Sequence, residues 1–342
     1  MVSTDAPSGA AGPPARRVRL VRTIVESGLR RLADATPRTV VAELVCVQWV
    51  LAGVTASVVG NDGSIWIAIP QVVVVLPLVL VLLYATALRL GGRVFAAWAA
   101  AAWIALPYAG LVYANPSFRH DYAHLFLPHV LGLADDSRFL ALVAFLAALY
   151  FTLRAIETAL SVDVAIAVAT AALGAALVPR AALVAAAPVV GLALGGRRRN
   201  AILAAAALAV LVAGAGGAVA AGLLSSPFAN IGVTGPGNVL STLSENFWSG
   251  RVLEWLGIAG VAGALRGRLT AGAMIGVALL AAFLSLHGEH VPVARNLSLL
   301  HALLPVWPSV TLAVASVPLL VPRRRPVARP GVTAAAEGPS PS

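Results

Sequence analysis

The sequence predicts an all-α, polytopic transmembrane helical bundle of about ten spans, and three observations carry that prediction. Apolar residues fill 59% of the 342 positions and charged residues only 11%, against roughly 25% charged in soluble domains. Long apolar runs recur from residue 39 to residue 321, each near the ~20 residues that a helix needs to cross the hydrocarbon core of a bilayer. The basic residues sit mostly in short segments between those runs, as topology signals do. The alternating strands of a membrane β-barrel, each about 10 residues long, are absent from the pattern.

Charged, proline-rich and glycine-rich punctuation divides the chain in order. The first span, 39–59, follows Arg38 and ends at Gly60-Asn61-Asp62-Gly63. The second, 65–88, stops at Arg89, and Gly91-Gly92-Arg93 separates it from the third, 94–113. A long polar connection, 114–138, precedes the fourth span at 139–157. Spans at 162–178 and 181–195 flank Pro179-Arg180, and Arg197 to Arg199 introduce 200–224. Runs at 252–265, 269–286 and 297–321 complete the set. The runs 181–195 and 252–265 are short for an upright crossing, so tilt, breakage or extension is expected there.

A formal charge of +10 is the footprint of some nucleic-acid binders, but its arrangement here points to membrane orientation. All 24 basic residues are arginine. With the N-terminus in the cytoplasm, nineteen of the 24 arginines fall on the inner face, leaving Arg119, Arg138, Arg180, Arg251 and Arg295 outside. An even number of spans then satisfies the positive-inside rule and puts both termini of a multi-pass plasma-membrane protein in the cytoplasm. No nucleic-acid partner is expected; membrane lipids are.

The chain therefore reads as a cytoplasmic basic tail (1–38), a transmembrane domain (39–321) and a cytoplasmic tail (322–342). Residues 1–15 and 326–342 are rich in Pro, Ala, Gly and Ser, a composition expected to stay disordered. Val18, Val21, Val25, Leu29 and Leu32 fall at helical spacing among arginines, which suits either a helix on the anionic inner leaflet or an extended basic tail. Arg16-Arg17 stands too far ahead of the first apolar run for an export signal. Cys46 is the only cysteine, which excludes an intrachain disulfide or a cysteine metal cluster.

Chemistry is expected on the outward connections 60–64, 114–138, 225–251 and 287–296. Segment 114–138 holds three of the six histidines and three of the seven aspartates. His120 and His124 are four apart and would share a helix face, with Asp121 able to join them around a divalent metal. The same side chains also suit local hydrogen bonding in the headgroup layer. Asp62, between glycines, reads as an Asx-turn residue or as a catalytic group. Neither a Walker A sequence nor a dinucleotide fingerprint is present.

Read together, four segments resemble the C-type (GT-C) superfamily of polyprenyl-phosphate-sugar-dependent membrane glycosyltransferases, in the branch related to mannosyltransferases. Asp62 lies in the first outward connection, where that superfamily keeps its catalytic carboxylate. Leu76-Pro77-Leu78 through Leu82-Leu83-Tyr84, with Gly91-Gly92-Arg93 and Trp103-Ile104-Ala105-Leu106-Pro107, look like its second and third spans. Gly174 to Val178, followed by Pro179-Arg180-Ala181-Ala182-Leu183, is similar to its proline-containing hairpin. His301-Ala302-Leu303-Leu304-Pro305-Val306-Trp307-Pro308 resembles a late segment in which an arginine commonly precedes Leu-Pro. The chain departs from the pattern in having one aspartate in the first connection, His at 301, and no large extracytoplasmic C-terminal domain.

The resemblance implies inverting transfer of a mannose-like sugar from a polyprenyl-phosphate donor to a cell-envelope acceptor at the outer face. A carboxylate would take the acceptor's proton and cations would hold the departing phosphate. Asp62, with Asp121 as alternate or partner, would be the base. Arg119, Arg180, Arg295 and His301 are the phosphate candidates, since a planar guanidinium binds two phosphate oxygens together. A non-catalytic scaffold or inactive relative and a transporter are the alternatives. The all-arginine, alanine-rich usage resembles that of a GC-rich bacterium.

Overall fold

The computed structural model describes residues 36–59, 65–113, 119–120, 122–134, 137–220, 260, 268–284 and 303–320. Every regular element among them is helical. Helix α1 spans Pro37–Val59; α2, Ile65–Pro70, runs through a π-helical turn, Gln71–Val75, into α3, Leu76–Tyr113. A second π-helical turn, Tyr122–Phe126, leads into the short α4, Leu127–Val130. Then come α5 (Ser137–Thr158), α6 (Ser161–Leu177), a 3-10 turn (Pro179–Ala185), α7 (Ala186–Leu194) and α8 (Arg198–Ala220). Helix α9 covers Leu269–Leu284, and α10, Trp307–Ser316, is flanked by 3-10 turns.

Local chemistry explains several boundaries. Thr36 caps α1, its Oγ1 accepting the Thr39 amide at 3.3 Å, and Pro37 takes the first helical position, where a missing N–H costs nothing. The expected irregularity of run 181–195 is present: its first turn is 3-10 and only Ala186–Leu194 is α-helical. The runs 39–59, 139–157, 162–178, 200–224 and 269–286 coincide closely with α1, α5, α6, α8 and α9. Most of run 252–265 lies outside the described residues, as do both chain ends.

Among the described residues three stretches, Pro37–Val59, Ile65–Ala109 and Ser137–Thr158, are long and apolar enough to cross a membrane. The middle one folds back on itself. Val72 and Leu111 pack in one cluster with Leu127, Leu131 and Leu133, whereas a straight helix would hold residues 72 and 111 about 58 Å apart. The reversal falls at Gly92, whose φ of 81° and ψ of −172° interrupt α3 in a region that L-residues with a Cβ avoid. The glycine pair read as punctuation between the second and third spans is therefore a helical hairpin.

The core runs across α3, α5, α9 and α10 and includes the Tyr122–Phe126 turn. Trp103, Phe126 and Phe139 are its largest fully buried side chains. Phe126 meets Trp307 edge to face at 5.3 Å between ring centroids, a geometry favoured by the ring quadrupoles. Large apolar groups also cover the outer surface, among them Trp66, Val58, Val210 and Ile202. An exterior of this kind suits lipid rather than water.

Arginines gather where the hairpin turns. Arg89 pairs with Glu157 at the end of α5 and lies 5.1 Å from the Tyr150 ring centroid. Arg268, just ahead of α9, donates to the Arg89 carbonyl, and Arg197 donates to the Ile156 carbonyl at 3.2 Å. Arg154 Nε lies 3.2 Å from Asp163 Oδ2, and the Thr158 hydroxyl donates to the same oxygen at 2.9 Å. Four connections assigned to one face by sequence thus meet at one end of the bundle.

The two ion pairs differ in burial, and so in what their loss should cost. Asp163 is 3% exposed at its side chain and Arg154 39%, whereas Arg89 and Glu157 are 26% and 44% exposed. Leaving the buried Asp163 carboxylate without its cation costs more than breaking a pair exposed on both sides, which contributes about 0–1 kcal/mol. Thermal unfolding in detergent should therefore show a large loss for Arg154→Leu and a small one for Glu157→Gln. Equal losses would contradict the burial argument.

Candidate functional site

The opposite end of the bundle is built around prolines and the polar groups that answer them. Pro77 lacks the amide that would bond the Val72 carbonyl in the five-residue register of the π turn. The Trp49 indole of α1 supplies the missing donor, 2.9 Å from Val72 O. At the start of that turn Gln71, only 6% exposed, reaches across to the outward segment. With its amide turned so that the nitrogen faces the two carbonyls, Gln71 donates to Gly132 O at 2.8 Å and Ala134 O at 3.2 Å.

Segment 122–134 differs from the solvated loop expected of a polar connection. Tyr122, Phe126, Leu127, Val130, Leu131 and Leu133 are all buried, so the segment packs into the bundle instead of arching over it. The Tyr122 hydroxyl donates to the Pro107 carbonyl at 2.8 Å. Burial pushes the Tyr122 phenol above its ordinary value, which keeps it protonated as a donor.

Helix α4 ends in a Schellman motif. The Gly132 amide bonds His129 O at 3.3 Å and the Leu133 amide bonds Pro128 O at 2.8 Å, with Gly132 left-handed at φ 69°. A Cβ on Gly132 would also sit 2.8 Å from the Phe139 ring. Pro128 near the start and Gly132 past the end are the usual proline–glycine asymmetry of a helix.

The anticipated site residues divide between described and undescribed positions. His120 and His124 are adjacent, with ring centroids 4.3 Å apart and planes tilted by 45°. His120 and Arg119 are exposed and His124 is half-buried. Arg180 lies on the 3-10 turn Pro179–Ala185. Asp62, Asp121, Arg295 and His301 lie outside the described residues. Among the described residues no three potential ligands gather around one ion position, and two imidazoles are one fewer than the three protein ligands of a typical catalytic zinc.

Other polar groups at this end were not singled out by sequence. Gln48 is 2% exposed and sits mid-way along α1. Thr55 donates to Leu51 O at 2.8 Å, and Tyr108 OH is 3.1 Å from Thr55 Oγ1. A glutamine in the middle of an apolar run is a legible signal, since a buried polar group there needs a partner.

Comparison of the chain with protein-family models, with curated proteins and with solved structures found no match.

Tyr122→Phe should loosen the segment without emptying the core. The lost hydrogen bond should lower stability by about 1 kcal/mol. A cysteine placed by Leu131→Cys, on a Cys46→Ser background, should react faster with a thiol reagent when Tyr122 is replaced. Unchanged reactivity would show that Tyr122 does not hold the segment in place.

Proposed function

We propose that the chain is an integral membrane glycosyltransferase of the inverting type, a bundle of about ten spans with both termini in the cytoplasm. It moves a mannose-like sugar from a polyprenyl-phosphate donor to a cell-envelope acceptor at the outer face. One observation supports this reading above the rest: the two aspartate-bearing connections leave the same end of the bundle. Residues 60–64 join Val59 to Ile65, and Ala56 and Val72, on either side of that connection, pack in one cluster with Leu127, Leu131 and Leu133 of the outward segment. The arginine-rich connections gather at the other end.

In the proposed reaction Asp62 accepts the proton of the acceptor hydroxyl, and that oxygen attacks the anomeric carbon. The bond from the anomeric carbon to the phosphate oxygen breaks and its electron pair leaves with the phosphate. Arg119, Arg180, Arg295 and His301 are proposed to neutralise the developing phosphate charge, with Asp121 as alternate or partner base. A divalent metal, if the donor phosphate brings one, would find the adjacent imidazoles of His120 and His124, with Asp121 following His120 in the sequence. A non-catalytic scaffold is the second reading, favoured by the apolar packing that closes this end among the described residues.

The test is transfer from radiolabelled polyprenyl-phosphate mannose to membrane acceptors by purified protein. Wild type should transfer label, and Asp62→Ala should reduce the rate by at least the 10²-fold typical of losing a general base. No transfer by wild type would overturn the enzyme reading, whereas equal rates for wild type, Asp62→Ala and Asp121→Ala would overturn only the residue assignment.

A further inference from the structure

We propose that a small cavity between α1 and the second half of α3 is a binding site for one water molecule, held by Gln48 and by the carbonyl that Pro107 leaves free. This inference is independent of the transferase reading. The cavity is lined by Gln48, Leu51, Trp103, Pro107, Tyr108 and Leu131, among others. Its room for a water centre is about 10 Å³, close to what a single water occupies and too little for a larger ligand.

Two independent features call for a hydrogen-bond donor at this place. Gln48 Oε1 is buried with no hydrogen-bond partner among the described residues, although an orphaned carbonyl in an apolar interior is costly. Pro107 has no N–H, so the Trp103 carbonyl one turn earlier loses its regular helical donor. Trp103 is 1% exposed, so bulk solvent does not replace that donor.

The nearby hydroxyls do not supply it. The Thr55 proton is committed to Leu51 O, so Tyr108 is the donor in its contact with Thr55. Its phenolic oxygen is left as a further acceptor. A water carries two donors, which matches one to Gln48 Oε1 and one to Trp103 O or Tyr108 Oη. Waters inserted at proline kinks restore lost backbone bonds within membrane-spanning helices in the same way.

Leu131 and Val130 form the side of the cavity facing the outward segment. The water would therefore lie beneath the end of α4 and link α1, α3 and that segment through a polar contact inside an apolar bundle.

The test is a density map of the purified protein in lipid, fine enough to show ordered waters, together with the same map for Gln48→Leu. The expected result is a peak about 2.8 Å from Gln48 Oε1 in wild type that disappears in the variant. Under xenon pressure the wild-type cavity should stay free of xenon. No peak in wild type, or xenon within the wild-type cavity, would overturn the proposal even if the variant fails to fold. A peak that persists unmoved in Gln48→Leu would overturn the role given to Gln48.

Discussion

A carbonyl or amide buried in an apolar bundle has no water to fall back on, and this constraint organises the end of the molecule that carries the candidate site. Three prolines, Pro70, Pro77 and Pro107, interrupt the α2–α3 hairpin. Each removes a backbone donor, and other polar groups at this end tie neighbouring segments together. Trp49 answers the Val72 carbonyl, Tyr122 bonds Pro107 O, and Gln71 supplies two donors to the turn after α4. The outward segment is therefore tied to the bundle by hydrogen bonds as well as by the burial of Phe126, Leu127 and Leu131.

The other end solves a different problem. There Arg89, Arg154, Arg197 and Arg268 tie helix ends to one another through Glu157, Asp163 and backbone carbonyls. These arginines were expected to set orientation, and they also fasten α3, α5, α6, α7 and α9 into one assembly. The two ends are chemically distinct: one is a guanidinium-rich belt, the other an apolar plug with a few buried polar groups. Such polarity is what a membrane protein with different chemistry on its two faces requires.

Much of the helical layout was legible in the sequence because its signals are local. The Gly91-Gly92-Arg93 triplet marks the hairpin, since only glycine takes the backbone conformation found at residue 92 without strain. Thr36-Pro37 marks the start of α1, and Pro128 with Gly132 marks the limits of α4. The packing of segment 122–134 was not legible, because its polar residues suggested solvent while the apolar ones between them are the buried set. Asp163 and Tyr122 matter through partners on other elements, and no spacing rule along one chain reveals such partners. Of the candidate site, His120 and His124 stand side by side, and Asp62 and Asp121 lie outside the described residues.

The two ends of this bundle are proposed to face opposite sides of a membrane. Single cysteines introduced as Ser64→Cys and Arg198→Cys, each on a Cys46→Ser background, test it directly with a membrane-impermeant thiol reagent. Ser64→Cys should be labelled in intact cells and Arg198→Cys only after permeabilisation. Labelling of both in intact cells, or the reverse pattern, would contradict it.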